Sequence, residues 1–205
     1  MGNFATVTDI EAFLQLEIST AAQITAAQRA LEEASAAIRN YCNQFIEEVV
    51  DDVFTIDSPG GFRLFLPELP VQTVSLVVED EETLTADEDY KLGQWGILHR
   101  MPLGTRWASG IQNVTITYTH GYYDIPDDII AVCVRAASRA YQAGLKTAES
   151  EGVPGVSSKS LGDFSVSFQS EVGGGVSEGL MGASGFRMLL LSEKDILNKY
   201  RVKGI

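Results

Sequence analysis

Polar and apolar side chains alternate one by one from Thr115 to His120, with Thr115, Thr117 and Thr119 set against Ile116, Tyr118 and His120. A period of two is that of a strand with one covered face. Gly121 ends the alternation, and Pro126-Asp127-Asp128 then reads as a helix entrance, since proline has no donor to lose in a first turn and aspartates face the positive helix end. A helix is predicted from about Pro126 to Tyr141. Ile129, Val132, Cys133, Ala136 and Ala140 make one apolar face, and Ile130, Val134, Ala137 and Tyr141 a second beside it. Only Asp128, Arg135, Ser138, Arg139 and Gln142 remain as a polar stripe, so the helix is central to the fold.

Upstream, Thr8-Asp9-Ile10-Glu11 has the form of a capping box, followed by an apolar face of Ile10, Phe13, Leu14 and Ile18. After Ser19-Thr20, Ile24, Ala27, Leu31, Ala34, Ile38, Tyr41 and Phe45 recur at steps of three and four. That pattern predicts a long amphipathic helix whose alanine-rich seam suits packing against the 126–141 helix, with a coiled coil as the alternative. Past Glu48 the period shortens. Val49–Ile56 and Phe62–Leu66 read as strands joined by a hairpin turn at Asp57-Ser58-Pro59-Gly60-Gly61. Pro70–Val78, Tyr90–Leu92 and Gly96–His99 follow as strands, and the acidic run Glu79-Asp80-Glu81-Glu82 as a solvated loop.

From Thr147 to Gly185 glycine and serine dominate, with one strand expected where Phe164, Val166 and Phe168 alternate with polar residues and a bend at Gly173-Gly174-Gly175. Phe186–Leu191 is strongly apolar, and Ser192 is placed to cap a last helix over Glu193–Tyr200. An apolar stretch beyond a glycine-rich one either folds back on its own core or docks on a partner, and the sequence leaves both open. The expected fold class is α+β: a helical bundle, a small antiparallel sheet and an extended C-terminal arm. The division falls at 1–145 for the core and 146–205 for the arm.

The 205 residues are enough for a sizeable core, and 45% hydrophobic content with a mean hydropathy of +0.04 fits a globular chain. A formal charge of −13 argues against a grip on nucleic acid, which needs clustered Lys and Arg, and suits a surface past which DNA slides without sticking. Cys42 and Cys133 fall on apolar helix faces, as reduced core thiols would. No secretory leader and no membrane-length apolar run is expected, so synthesis and folding in a cytoplasm follow.

Candidate chemistry is sparse. His99 and His120 lie in different predicted strands with no metal-ligand spacing around them, and HExxH, CxxC and GxSxG are absent. Neither a cofactor nor a metal is expected. Gly152–Ser160 departs from a P-loop in its glycine spacing and in having Ser158 before Lys159.

The order of segments is more informative than any motif. A strand ending YTHGY, then IPDDI and a helix carrying AASRAY, is preceded by FATVTDIEAFL, ALEEASAAIRNYC and SPGGFRLFLPELPVQTVSLVVED, and followed by SKSLGDFSVSF and DILNKYR. This order, over nearly the whole chain, resembles the head-to-tail connector (adaptor) proteins of long-tailed bacteriophages. The resemblance implies a virion structural protein and not an enzyme. It would form a ring, commonly dodecameric, beneath the portal protein, extending the DNA channel and presenting a surface to the next stopper or tail protein. It would sit in the neck after assembly in the host cytoplasm, with DNA passing through without specific binding and with no membrane contact. Arg135, Ala136, Arg139 and Ala140 are then candidates for the subunit interface. Phe186, Met188, Leu189, Leu190, Leu191 and Tyr200 are candidates for a portal-docking arm, and Glu79, Asp80, Glu81 and Glu82 for an acidic channel or rim loop. The alternatives are a stopper or tail-completion protein of the same neck, or a small acidic enzyme built on His99 or His120.

Overall fold

A computed structural model describes residues 2–149, 158–161, 164–167 and 187–202. The helical layer comprises α1 (Val7–Leu14), α2 (Ala21–Cys42) and α3 (Asp127–Glu149). The capping box of α1 lies two residues earlier than the sequence pattern suggests. The Thr6 hydroxyl accepts from Asp9 N–H at 3.3 Å while the Asp9 carboxylate accepts from Thr6 N–H at 2.7 Å. Glu11 is thereby free to reach past the helix end, where its carboxylate accepts from Ile18 N–H at 2.8 Å. For α2 the cap is Thr20 with Gln23, and Asn43 in a left-handed conformation closes the helix, so Phe45 lies beyond it.

The apolar seam of α2 meets α3 as its pattern requires: Ala27, Leu31, Ala34 and Ile38 share one core with Ile129, Val132, Ala136, Ala137 and Tyr141. Small residues on both helices allow the axes to approach closely. The N-terminus is drawn onto the same core, with Phe4 N–H donating to the buried Ser35 hydroxyl at 3.1 Å and Ser35 Oγ 3.5 Å from Cys133 Sγ. Both cysteines are free and buried, and burial pushes the Cys42 thiol up to about 11.

The second layer is a sandwich of two antiparallel sheets. The larger has strand order β1-β7-β3-β4, from β1 (Val49–Pro59), β3 (Val71–Glu79), β4 (Glu82–Leu84) and β7 (Ser109–His120). The smaller has order β2-β6-β5, from β2 (Arg63–Phe65), β5 (Tyr90–Leu92) and β6 (Ile97–Arg100). Val77, Val114, Ile116 and Tyr118 of one sheet pack on Leu64, Tyr90 and Leu98 of the other, closed by the buried Trp107. The expected hairpin at Asp57–Gly61 does not form. β1 pairs with β7 and β2 with β6, so this segment carries the chain from one sheet to the other. Pro59 still faces Ser109, and Gly60, at φ +77°, makes the turn that leaves the larger sheet.

Helices and sandwich meet at Gly121. Its φ is +85°, and a Cβ there would lie 2.2 Å from the Glu47 carbonyl oxygen. The close approach lets Tyr122 N–H donate to Ile46 C=O at 2.8 Å and Glu48 N–H to Tyr122 C=O at 3.1 Å, while Gly121 N–H donates to Pro70 C=O at 2.9 Å. The buried Gln44 adds a side-chain tie: its Oε1 accepts from Leu69 N–H at 3.1 Å and its Nε2 donates to Tyr200 C=O at 2.5 Å.

The remaining elements are a two-stranded hairpin of β8 (Ser158–Leu161) and β9 (Phe164–Ser167), and α4 (Leu191–Leu197) with a 3₁₀ turn at Asn198–Tyr200. The sequence gives a strand at β9 but no partner for it. α4 starts before Ser192, which does not cap it; the Glu193 carboxylate accepts from Leu190 N–H at 2.9 Å instead. Phe168 and Gly173–Gly175 lie outside the described residues.

Replacing Gly121 with alanine forces the two layers apart or the backbone out of its left-handed conformation. G121A is expected to lower stability by about 2–4 kcal/mol, as read by thermal or urea unfolding.

Candidate interaction surfaces

The two histidines lie in different settings. His120 is wholly buried at the meeting of β1, β3 and β7, its Nε2 3.2 Å from Asp52 Oδ2 and its ring 5.0 Å from that of Tyr118. His99 lies on the outer side of the smaller sheet beside an open groove of about 580 Å³, lined also by Phe62, Arg63, Arg100 and Leu103. The groove offers donors and apolar surface, with no carboxylate or nucleophile among its lining residues. Among the described residues no group of His, Cys, Asp and Glu is gathered as a metal ion would need, and no helix is long and apolar enough to cross a membrane.

The polar stripe of α3 is spent largely within the chain. Arg139 donates to both carboxylate oxygens of Glu193 at 2.7 Å and to Met188 C=O at 2.9 Å, and Glu193 is only 3% exposed. Asp128 accepts from the Tyr200 hydroxyl at 2.6 Å and pairs with Lys199. Burial alone would raise the Asp128 carboxyl, but hydrogen bonds from Lys199 and Tyr200 and the Lys199 charge hold it below the ordinary carboxylate range. The expectation that Arg139 and Ala136 lie open to a neighbouring subunit is therefore corrected: Arg139 clamps α4, and Ala136 is fully buried against the chain's own core. Ala140 packs half-buried on that core, leaving Arg135 as the one member of the set whose guanidinium is turned outward, its Nε donating to Ala131 C=O at 3.1 Å.

The terminal apolar stretch folds back. Leu189 and Tyr200 are buried in the helical core and Met188 packs on it, so these three are not available as a docking arm. Leu190 and Leu191 remain exposed, at 43% and 74%; Phe186 lies outside the described residues. The fold-back depends on an ion pair between partners 54 residues apart and a hydrogen bond between partners 72 apart, which no local periodicity announces.

Nor is the acidic run simply a loop. Asp80 and Glu81, with φ +46° and +72°, form the two-residue turn of the β3–β4 hairpin. Glu82 is exposed at the start of β4, but Glu79 points into the sandwich, 8% exposed. There its carboxylate accepts from Ala108 N–H at 2.7 Å and from Arg100 Nε at 3.2 Å, joining the two sheets. Within the run, Asp80, Glu81 and Glu82 present their charge to solvent and Glu79 does not.

What the sequence did not flag is the apolar surface around the sandwich. Trp95 is 82% exposed in the turn between β5 and β6 and Leu103 86% exposed beyond β6. The one local signal is the turn composition of Gly93-Gln94-Trp95-Gly96, since turns run over the surface.

A family model described as head completion protein (HCP) matches residues 3–135. A solved chain from the neck of an empty gene transfer agent particle, computed with C6 symmetry, is 16% identical over 97% of this chain and 90% of that chain, with a TM-score of 0.50. A chain from the virion of a native gene transfer agent particle is 15% identical over 97% of this chain and 89% of that one, with a TM-score of 0.51. At these identities the likeness is one of fold. No curated protein matches.

Removing the Arg139 charge leaves Glu193 buried without its partner. R139Q is expected to cost about 2–4 kcal/mol and to raise hydrogen exchange selectively over 188–200. The depressed Asp128 carboxyl makes the Tyr200 clasp pH-dependent. Its contribution is complete above the ordinary carboxylate range and is lost as pH falls through the lower folded-state value. Amide exchange at 198–200 should rise over that acid window in the natural protein and not in D128N.

Proposed function

Because this chain belongs to the head completion protein family, whose model spans α1 to the middle of α3, we propose that it is a head-to-tail adaptor of a virion neck. Copies close a ring beneath the portal, continue the DNA channel and give the next stopper or tail protein its seat. The observation that carries this reading is that family match, which takes in both the helical core and the sandwich. The fold likeness to chains of a gene transfer agent particle supports it.

The surface fits such a role. Large apolar side chains left uncovered on a single copy suit repeated contact with other chains. Leu190 and Leu191, adjoining the glycine-rich segment, serve as the portal contact, and Arg135 as a polar element of a subunit contact. Asp80, Glu81 and Glu82 form an exposed acidic tip that would repel phosphate at the channel or its rim.

Electron microscopy of the purified protein mixed with the portal of the same particle tests the reading: a ring seated on the portal is expected. Binding only to an already formed neck, and not to portal alone, would move the protein one step further from the capsid, as a stopper. Changing Leu190 and Leu191 to serine should weaken portal binding by roughly tenfold to a hundredfold. Tight binding of duplex DNA by the ring at physiological salt would overturn the channel role of the acidic tip.

A further inference from the structure

Charge in the sandwich is sorted by sheet. β1, β3, β4 and β7 carry Asp51, Asp52, Asp57, Glu79 and Glu82 and no Lys or Arg. β2, β5 and β6 carry Arg63, Lys91 and Arg100 and no Asp or Glu. In a chain of net charge −13, a sheet without a single acid is a local exception.

Strand parity then decides what each sheet shows to the outside. In the smaller sheet Leu64 and Leu98 pair on the inner side, 3% and 0% exposed. The adjoining row, Arg63, His99 and Lys91, therefore lines up across all three strands on the outer side. Phe65, 49% exposed, stands in the next row, Trp95 projects from the β5–β6 turn, and the Arg106 guanidinium lies over the Phe62 ring at 4.6 Å. In the larger sheet the outer rows are Val53, Thr117 and Leu76, then Thr55, Thr115 and Val78. Val53 is 61% exposed and Leu76 41%, and the exposed carboxylates of Asp51 and Asp57 stand on the β1 edge beside them.

We infer that these two outer faces are partners: the basic, aromatic face of the smaller sheet on one copy packs on the threonine-rich, acid-edged face of the larger sheet on the next. The inference rests on the ring reading above and names the surface that closes the ring. Both faces are sheets, which stack on one another about 10 Å apart. Their charges are opposite, whereas a symmetric contact of the basic face with itself would bring like charges together. They also lie on opposite sides of one sandwich. A contact that uses both is heterologous, and its repetition carries the chain around a ring and not into a closed dimer. A duplex would meet cations too, but the net charge of −13 opposes its approach, so a second copy is the better fit.

Two variants decide it. In the first, R63E and K91E make both faces acidic; in the second, V53K and D57K make both basic. All four positions are exposed, and each variant should melt within a few degrees of the natural protein. Rings seated on portal, counted by electron microscopy, are expected to fall more than tenfold for either variant alone. Mixed in equal amounts the two should restore them, because every contact in an alternating ring then joins opposite charges. Rings at the natural level from either variant alone would overturn the inference, as would failure of the folded pair to rescue one another. Intact rings of the first variant that have lost binding to duplex DNA or to the next neck protein would reassign the basic face to that partner. If the natural protein forms no ring on portal, the adaptor reading itself falls, a result separable from all of these.

Discussion

The structure turns on how closely two backbones approach at Gly121. A strand that is itself the spine of the sandwich, β7, must pass into the helix that is the spine of the other core, α3, within the few residues from His120 to Asp127. That is possible because no side chain separates Gly121 from the Glu47 carbonyl, so Ile46, Glu48 and Tyr122 exchange backbone hydrogen bonds across the gap. The same crossing encloses His120 beneath the junction, where its Nε2 lies 3.2 Å from the carboxylate of the partly exposed Asp52 on the adjoining strand. Gln44, touching the β2–β3 connection on one side and Tyr200 on the other, gives the junction a third support.

A second constraint is the scarcity of cations in so acidic a chain. The arginines that are drawn inward each close one seam. Arg39 pairs with Glu47 at the end of α2 and lies 4.4 Å from the Phe4 ring; Arg100 joins the two sheets through Glu79; Arg139 fastens α4 through Glu193. Each is planar and forked, so it can meet a carboxylate with two donors and still reach a backbone carbonyl, as Arg100 does with Asp89 and Arg139 with Met188. Among the cations not drawn inward, Arg63 and Lys91 share one outer row of the smaller sheet, and the Arg106 guanidinium lies over the Phe62 ring that precedes β2.

For a head completion protein this is a coherent division of labour. The helical core and the sandwich are joined by short backbone hydrogen bonds around Gly121 and Tyr122 and by the Gln44 side chain. What stays exposed combines charge with large apolar side chains, as where Arg63 and Lys91 stand beside Phe65 on the smaller sheet.

Much of this was legible from the sequence because it depends on residues close together along the chain. The helices after Ser19-Thr20 and from about 126, the strands near 49, 70, 90 and 115, the glycine break at 121 and the α+β class all follow from periodicity, caps and turn residues. The sequence could not choose partners. In place of the expected hairpin at Asp57–Gly61, β1 pairs with β7, some sixty residues on, because a Pro-Gly-Gly turn permits a change of sheet as readily as a reversal within one. The acids around Glu79 suggest a solvated residue, yet strand parity turns it inward to Arg100. The polar stripe on α3 was read as a subunit edge, but its arginine is consumed by a glutamate 54 residues later. Local pattern fixes which face of an element is apolar or charged; only the packed chain decides whether that face is closed by the protein's own residues or left for another molecule, since that depends on contacts whose partners are far apart in sequence and whose energies exist only once the chain has folded.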